Sequence, residues 1–374
     1  QTLALDQSEI EAALVRLETE GQVLRGSFHQ GVEHEWCNRR VLARIHRRTL
    51  GALRREIEPV STARYERFLS HWQHLAPGTA LHGLDGTLQV IKQLQGLEFP
   101  AAAWEREILP ARVAHYDPEY LDRLCASGEI MWGRLSPHPA FDEPAVERSR
   151  RVRPSRIAPV SLFLRQDADW LLSRARRARN QTAGDASLSA AALDVRAAIE
   201  RNGASFFADI VRLSGRLASE VEDGLWELVA AGEVTADGFD NLRALIDPKR
   251  RLALGRMNPS RPRNAAGRWA LLRPAHERSG GAPALAEHDA YLETFVQQLL
   301  ARWGVLFRDA IKSETFAPAW RDCLVVLRRL ELQGSIRGGR FVATYVGEQF
   351  CLPEALDLMR ALREPESGNA VLSA

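Results

Sequence analysis

The sequence predicts a mainly α-helical fold with small β-wings (α+β), built as tandem winged-helix domains. Two observations carry that reading. The first is the stretch from Asp309 to Val342, where Leu324, Leu327 and Leu330 recur at one-face helical spacing and Gly334 follows the last of them. A glycine there suits the left-handed residue that ends a helix. Ser335-Ile336 then opens a strand, Gly338-Gly339 supplies a tight turn, and Arg340-Phe341-Val342 returns. Helix, glycine, strand, turn and strand is the second half of a winged helix, with the helix entering a nucleic-acid groove and the hairpin as its wing.

The second observation is repetition. LETEGQV occurs at Leu17–Val23, LCASGEI at Leu124–Ile130, LVAAGEV at Leu228–Val234 and LELQGSI at Leu330–Ile336. Each has Leu four residues before the glycine and Val or Ile two residues after it. The glycines are Gly21, Gly128, Gly232 and Gly334, at intervals of 107, 104 and 102 residues. That period is too long for a solenoid and suits a chain of small helical domains.

Composition bounds the rest. A chain of 374 residues allows roughly two to four domains. No apolar run approaches the roughly 18 residues of a membrane span. Cys37, Cys125, Cys323 and Cys351 are scattered and form no CxxC, which suits a reducing cytoplasm. The net charge is only +2, so the distribution of charge matters more than its sum. Of 50 basic residues only Lys92, Lys249 and Lys312 are lysines, and the remaining arginines are planar forked donors suited to phosphates and guanine edges. The chain opens inside what reads as a recognition helix and stops soon after another helix, so it reads as a fragment of a longer protein.

The first unit, residues 1–80, is a partial winged helix with a basic helical extension. A recognition-type helix spans 6–20 and its wing 22–28. His29, His34 and Cys37 lie close together but lack a fourth ligand and a firm spacing, so no metal is expected. Residues 38–55 hold Arg39, Arg40, Arg44, Arg47, Arg48, Arg54 and Arg55 with no acid among them. Arg40, Arg44 and Arg47 share one helical face. This is either a solvated face paired with neighbouring acids or a phosphate-contacting helix. A further amphipathic helix is expected over 62–75.

The second unit spans 81–180. Its recognition helix starts at Asp117-Pro118, an N-cap followed by a proline at the first helical position. Trp132 on the wing strand is either core or a stacking platform for a base. Arg150, Arg151 and Arg153 lie in the following basic loop, and the apolar run 157–164 is placed to complete the wing. The third unit, 181–248, shows three helices near 188–201, 205–213 and 217–231. The last carries Glu220, Glu222, Asp223 and Glu227, a face poorly placed against phosphates, so this copy is expected to pack against protein. Residues 249–284 form a basic loop or linker, with eight basic residues and no acid over 249–273 and Trp269 interleaved. The fourth unit is 285–374, its wing carrying Arg337 and Arg340.

No glycine-lysine pair supports a Walker A loop, and there is no GxSxG, HExxH or GxGxxG, so no ATPase or hydrolase motif is legible in the chain.

The phrases ILPARVAHYDPEYLDRLCASGEIMWGRL (108–135), RWGVLFRDAI (302–311), WRDCLVVLRRLELQGSIRGGRFV (320–342) and GEQFCLPEAL (347–356) resemble the C-terminal half of the bacterial long form of Lhr, the large helicase-related family. The resemblance covers roughly 10–365. It implies an N-terminal ATP-dependent helicase core as covalent partner, with ATP and Mg²⁺ serving that core and no cofactor in this stretch. It also implies DNA as ligand, possible homo-oligomers, no membrane, and a tandem winged-helix region similar to AlkZ-type DNA glycosylases. The AlkZ-type paired polar motif has no counterpart here beyond His29-Gln30, whose spacing departs from it. Two functions follow as expectations: a DNA-binding and assembly module of a helicase, or a glycosylase acting on a damaged or uracil base. The candidate DNA contacts are Arg39, Arg40, Arg44, Arg47, Arg48, Trp132, Arg150, Arg151, Arg153, Arg337 and Arg340.

Overall fold

Four helices end at the four repeated glycines, and in each case a strand begins within three residues. A computed structural model of the chain describes residues 6–29, 32, 34–55, 57–136, 138, 159–172, 188–246, 267–272, 285–314 and 316–362. Gly21, Gly128, Gly232 and Gly334 have φ of 69°, 77°, 72° and 79°, the left-handed region that a side chain disfavours. Three of the helix ends are closed by the same pair of hydrogen bonds. Ser335 N donates to Leu330 O and Gly334 N to Glu331 O, both at 3.0 Å. Gln22 and Gly21, and Glu233 and Gly232, repeat the pattern. This is the 6→1 and 5→2 closure of a Schellman end. In the second copy the Ser127 hydroxyl donates to Leu124 O instead, so a side chain satisfies that carbonyl.

The first unit holds α1 (Gln7–Thr19), β1 (Val23–Gly26) and β2 (Glu35–Asn38), followed directly by α2 (Arg39–Arg55). Its sheet has two antiparallel strands, with Val23 opposite Asn38. The next helix, α3 (Thr62–Trp72), leads to β3 (Leu81–His82) and the second unit. That unit holds α4 (Gly83–Leu94), β4 (Phe99–Pro100), the short α5 (Ala101–Ala103) continued by a π-turn, β5 (Val113–Ala114), α6 (Pro118–Ala126), β6 (Ile130–Gly133) and β7 (Pro159–Leu164). The third holds α7 (Ala190–Asn202), β8 (Ser205–Phe206), α8 (Phe207–Ser214), α9 (Ala218–Ala230), β9 (Val234–Ala236), α10 (Asp240–Ile246) and β10 (Arg268–Leu271). The fourth holds α11 (Leu285–Trp303), β11 (Val305–Leu306), α12 (Trp320–Leu332), β12 (Arg337–Gly339), β13 (Gln349–Cys351) and α13 (Pro353–Ala361).

Units two, three and four share one sheet plan. The strand orders are β4-β7-β6, β8-β10-β9 and β11-β13-β12, so in each the last strand lies between the first and the second. The apolar run before Leu164 completes the second wing as expected. Two expectations fail. The stretch around Trp269 is not all loop: Arg268–Leu271 is the central strand of the third sheet, and Trp269 is fully buried there. In the fourth unit Gly338-Gly339 is strand rather than turn, and the returning strand is Gln349–Cys351, not Arg340-Phe341-Val342. Phe341 and Val342 are held inside, because both amides donate to the buried Gln349 Oε1 and Val342 bridges Val60. The side-chain amide replaces the ladder the local sequence promised.

The units also pack against one another. The second and third share a single apolar core in which Trp132, Trp269 and Trp226 meet edge to face, at 6.4 and 5.6 Å between ring centroids. Such pairs add to the large area each ring removes from water. Gly232 is needed for this approach: a Cβ there would lie 2.5 Å from Arg134 O. The second and fourth units meet at a buried polar joint. Arg302 donates to Glu314 and to the carbonyl of Gln95, while Gln298 bonds Gln93 O at 2.9 Å and Gln95 at 3.0 Å. The helix α3 belongs with the fourth unit: Tyr65 and Phe68 fill a core with Val305, Phe341 and Met359. Its Trp72 indole donates to Ala301 O at 3.0 Å.

Candidate nucleic-acid interface

Which of the four repeated helices has a face open to a groove follows from burial. The third, α9, is closed. Its residues from Gly224 through Ala230 are all buried, and its open N-terminal turns carry Glu220, Glu222 and Asp223. That copy packs against protein, as its acidic face suggested. The second, α6, is tied through Asp122 to Arg243 of α10, and its open face carries the acid Glu119 beside Arg123. Arg243 is only 6% exposed and pairs with Glu105 and Asp122, both at 2.6 Å. The Asp122 carboxyl is pushed up by desolvation, against the pull of Arg243. The first, α1, has no buried residue but carries Glu9, Glu11 and Glu18 against one arginine, Arg16.

The fourth, α12, differs from all three. Cys323, Val326, Leu327 and Leu330 face its core. Arg321, Val325, Arg328 and Leu332, spaced by four, three and four, line the opposite face and are all exposed. Periodicity alone places both stripes, since residues three and four apart lie on one side of a helix.

The basic helix α2 joins this surface. It packs across β12, the first wing strand of the fourth unit. The anchor is Arg54, whose Nε donates to Glu331 Oε1 at 2.8 Å while its Nη2 bonds the second oxygen. Two parallel bonds fix a guanidinium in direction as well as place. Arg54 Nη1 also lies 3.3 Å from Glu348, and Arg328 of α12 takes the other oxygen of that carboxylate. Glu348 therefore ties α2 to the recognition helix, and the Arg328 bond holds its carboxyl below its ordinary range. Gly338 makes room for the anchor: a Cβ there would meet Glu331 Oε1 at 2.3 Å.

Arg39, Arg40, Arg44, Arg47 and Arg48 all stand exposed on α2, and no ion pair is formed by any of them among the described residues. They form a solvated basic face that no described acid neutralises. Arg337 on β12 and Arg340 just beyond it are exposed as well, Arg340 turning back to Ala343 O at 2.7 Å. The structure thus sets the C-terminal end of the arginine helix, at Arg54, against the strand that carries Arg337, 283 positions away in the sequence. Arg321 and Arg328 belong to the same face and were missed. Their signal was present in the 321-325-328-332 spacing, complementary to the leucine stripe.

Trp132 is a correction. It is fully buried between the second and third units and its indole donates to Gly238 O at 3.2 Å, so it cannot stack on a base. Arg150, Arg151 and Arg153 lie outside the described residues. His29 pairs with Glu35 at 2.6 Å.

Comparison with known proteins adds family information. Residues 60–151 and 285–371 each match a winged-helix domain of the large helicase-related protein. The chain is 31% identical over 382 residues to a Mycolicibacterium smegmatis protein described as "Lhr helicase/ probable uracil glycosylase", covering 96% of this chain and 24% of that one. It is 28% identical over 391 residues to the Escherichia coli "Lhr helicase/uracil glycosylase", covering 94% and 23%. The chain spans about a quarter of the length of these curated relatives.

Proposed function

We propose, from the premise that this chain belongs to the large helicase-related family, that it is a DNA-binding and assembly module serving an ATP-dependent DNA helicase. ATP and Mg²⁺ would serve a helicase core elsewhere in the parent protein, in the bacterial cytoplasm. The observation that carries the reading is the joined surface of α2, α12 and the wing. It presents seven exposed arginines that form no ion pair among the described residues, Arg39, Arg40, Arg44, Arg47, Arg48, Arg337 and Arg340, beside Arg321 and Arg328, which pair with Asp322 and Glu348. Arginines in this arrangement neutralise phosphates and release counterions, which supplies affinity without sequence preference. The acidic, closed third unit packs against the second rather than touching DNA, and the exposed apolar residues of the first unit, such as Ile10, Val41 and Ile45, suit contact with further protein. Among the described residues no helix is long and apolar enough to cross a membrane.

Anisotropy titration of the chain against a blunt duplex tests this. Binding in or below the micromolar range, weakening steeply with salt, is expected. Absence of binding at low salt would overturn it.

The names of both relatives favour a second reading, excision of uracil. At the surface described above, the carboxylates Glu331 and Glu348 are both committed to arginines, so neither is poised to activate water. Incubation with uracil-containing DNA without ATP decides between them: abasic sites would establish the glycosylase reading, and their absence leaves binding.

A further inference from the structure

A cavity opens beside the wing at Arg337. It measures about 200 Å³ and sits between α2, β12 and α13. Its floor is aliphatic, formed by Leu50, Leu53, Ile57 and Leu356, and its polar edge is Glu331, Arg337 and Arg360. A second lobe of about 250 Å³ shares Ile57, Leu356 and Arg360 with it.

We infer that this cavity receives a single unstacked nucleotide of a DNA strand lying on the wing, its base on the aliphatic floor and its phosphate on Arg337 and Arg360. The inference rests on the DNA-binding reading and goes beyond it by giving one nucleotide a place. Size is the first argument. Sites for drug-sized ligands run to about 300–1,000 Å³, so this lobe suits one planar ring and not a helix of a partner protein. Charge is the second. Arg337 and Arg360 are exposed and neither forms an ion pair among the described residues, while the one carboxylate at the edge, Glu331, is already neutralised by Arg54. The nearby Arg64 is committed to the carbonyls of Met359 and Arg360 at 3.1 and 3.0 Å, so the anion falls to the other two. Position is the third. Arg337 belongs both to the wing surface and to the cavity mouth, so a strand leaving a duplex across the wing passes the opening. Every base has a flat apolar face, so an aliphatic floor accepts it without regard to sequence.

The test uses the 374-residue chain and a duplex with a single-stranded tail, with 2-aminopurine placed at successive positions past the junction. One position should show a several-fold rise in fluorescence at saturation, because the first lobe has no aromatic ring to quench it. Leu356→Trp fills the floor and should abolish the rise while blunt-duplex affinity stays within about twofold. Arg360→Ala, at an exposed position, should weaken tailed DNA several-fold and leave blunt duplex unchanged; it carries the test if the tryptophan variant does not fold. If wild-type protein binds DNA and no position responds, or the rise survives both substitutions, the cavity assignment is wrong and the DNA-binding reading stands. If neither blunt nor tailed DNA is bound, both fall together.

Discussion

Replacing Arg40, Arg44 and Arg47 together with alanine should flatten the salt dependence of DNA binding without loosening the fold. All three are exposed on one face of α2, and none forms an ion pair among the described residues. Alanine is the best helix former, so the helix should hold. Each phosphate neutralised on a duplex contributes about 0.9 to the slope of log K against log salt, so three lost contacts lower it by about 2.7. Over a fourfold change in salt, from about 50 to 200 mM, that slope difference is worth roughly 40-fold in relative affinity. Anisotropy titrations at four or five salt concentrations measure it, with thermal melting as the check on folding. Arg212→Ala is the control, since Arg212 is equally exposed but sits on the third unit and pairs with Asp209 at 2.8 Å. A triple variant with wild-type melting and an unchanged slope would remove α2 from the interface.

Three further outcomes follow from the packing. Arg302→Met leaves the buried Glu314 carboxylate without its cation, and should cost about 3–5 kcal/mol in denaturant unfolding; a cost under about 1 kcal/mol would mean that the joint between the second and fourth units is not what it looks like. Gly232→Ala forces a side chain into the left-handed region, about 1–2 kcal/mol, and against Arg134 O at 2.5 Å besides; unchanged melting would contradict the close packing of the second and third units. Glu348 has a carboxyl pKa held below its ordinary 4.5, first by its bond to Arg328. The stability it lends is present above 4.5 and fades as pH falls through the lowered value. The attachment of α2 to the fourth unit, followed by amide exchange of α2, should therefore loosen below pH 4.5 in the wild type and show no such step in Glu348→Gln.

The helix-to-strand junctions were legible because each rests on a local signal: a leucine stripe, a glycine able to adopt positive φ, and a β-branched residue after it. The acidic face of α9 likewise foretold that this copy packs inward. What failed was non-local. Nothing near Gln349 announces that its amide would take the backbone bonds of Phe341 and Val342 and displace the returning strand. Trp269 lies among arginines and glycines, yet a strand there completes the third sheet because Trp132 and Trp226 supply its core from other segments. The basic face of α2 was visible as a run of arginines, but its junction with the wing depends on Arg54 meeting Glu331 and Glu348 from the far end of the chain. Arg321 and Arg328 are marked only by the exposed stripe 321-325-328-332, which mirrors the buried stripe of α12 and is interrupted by Val325 and Leu332.

If α2, α12 and the wing act as one DNA-facing surface, α9 stays out of contact with the duplex. Photo-crosslinking groups installed singly in place of Arg44, Arg328, Arg337 and Glu222 test this against the same duplex. Crosslinks to DNA from the first three positions and none from Glu222 are expected. A crosslink from Glu222 with silence at Arg44, Arg328 and Arg337 would contradict it.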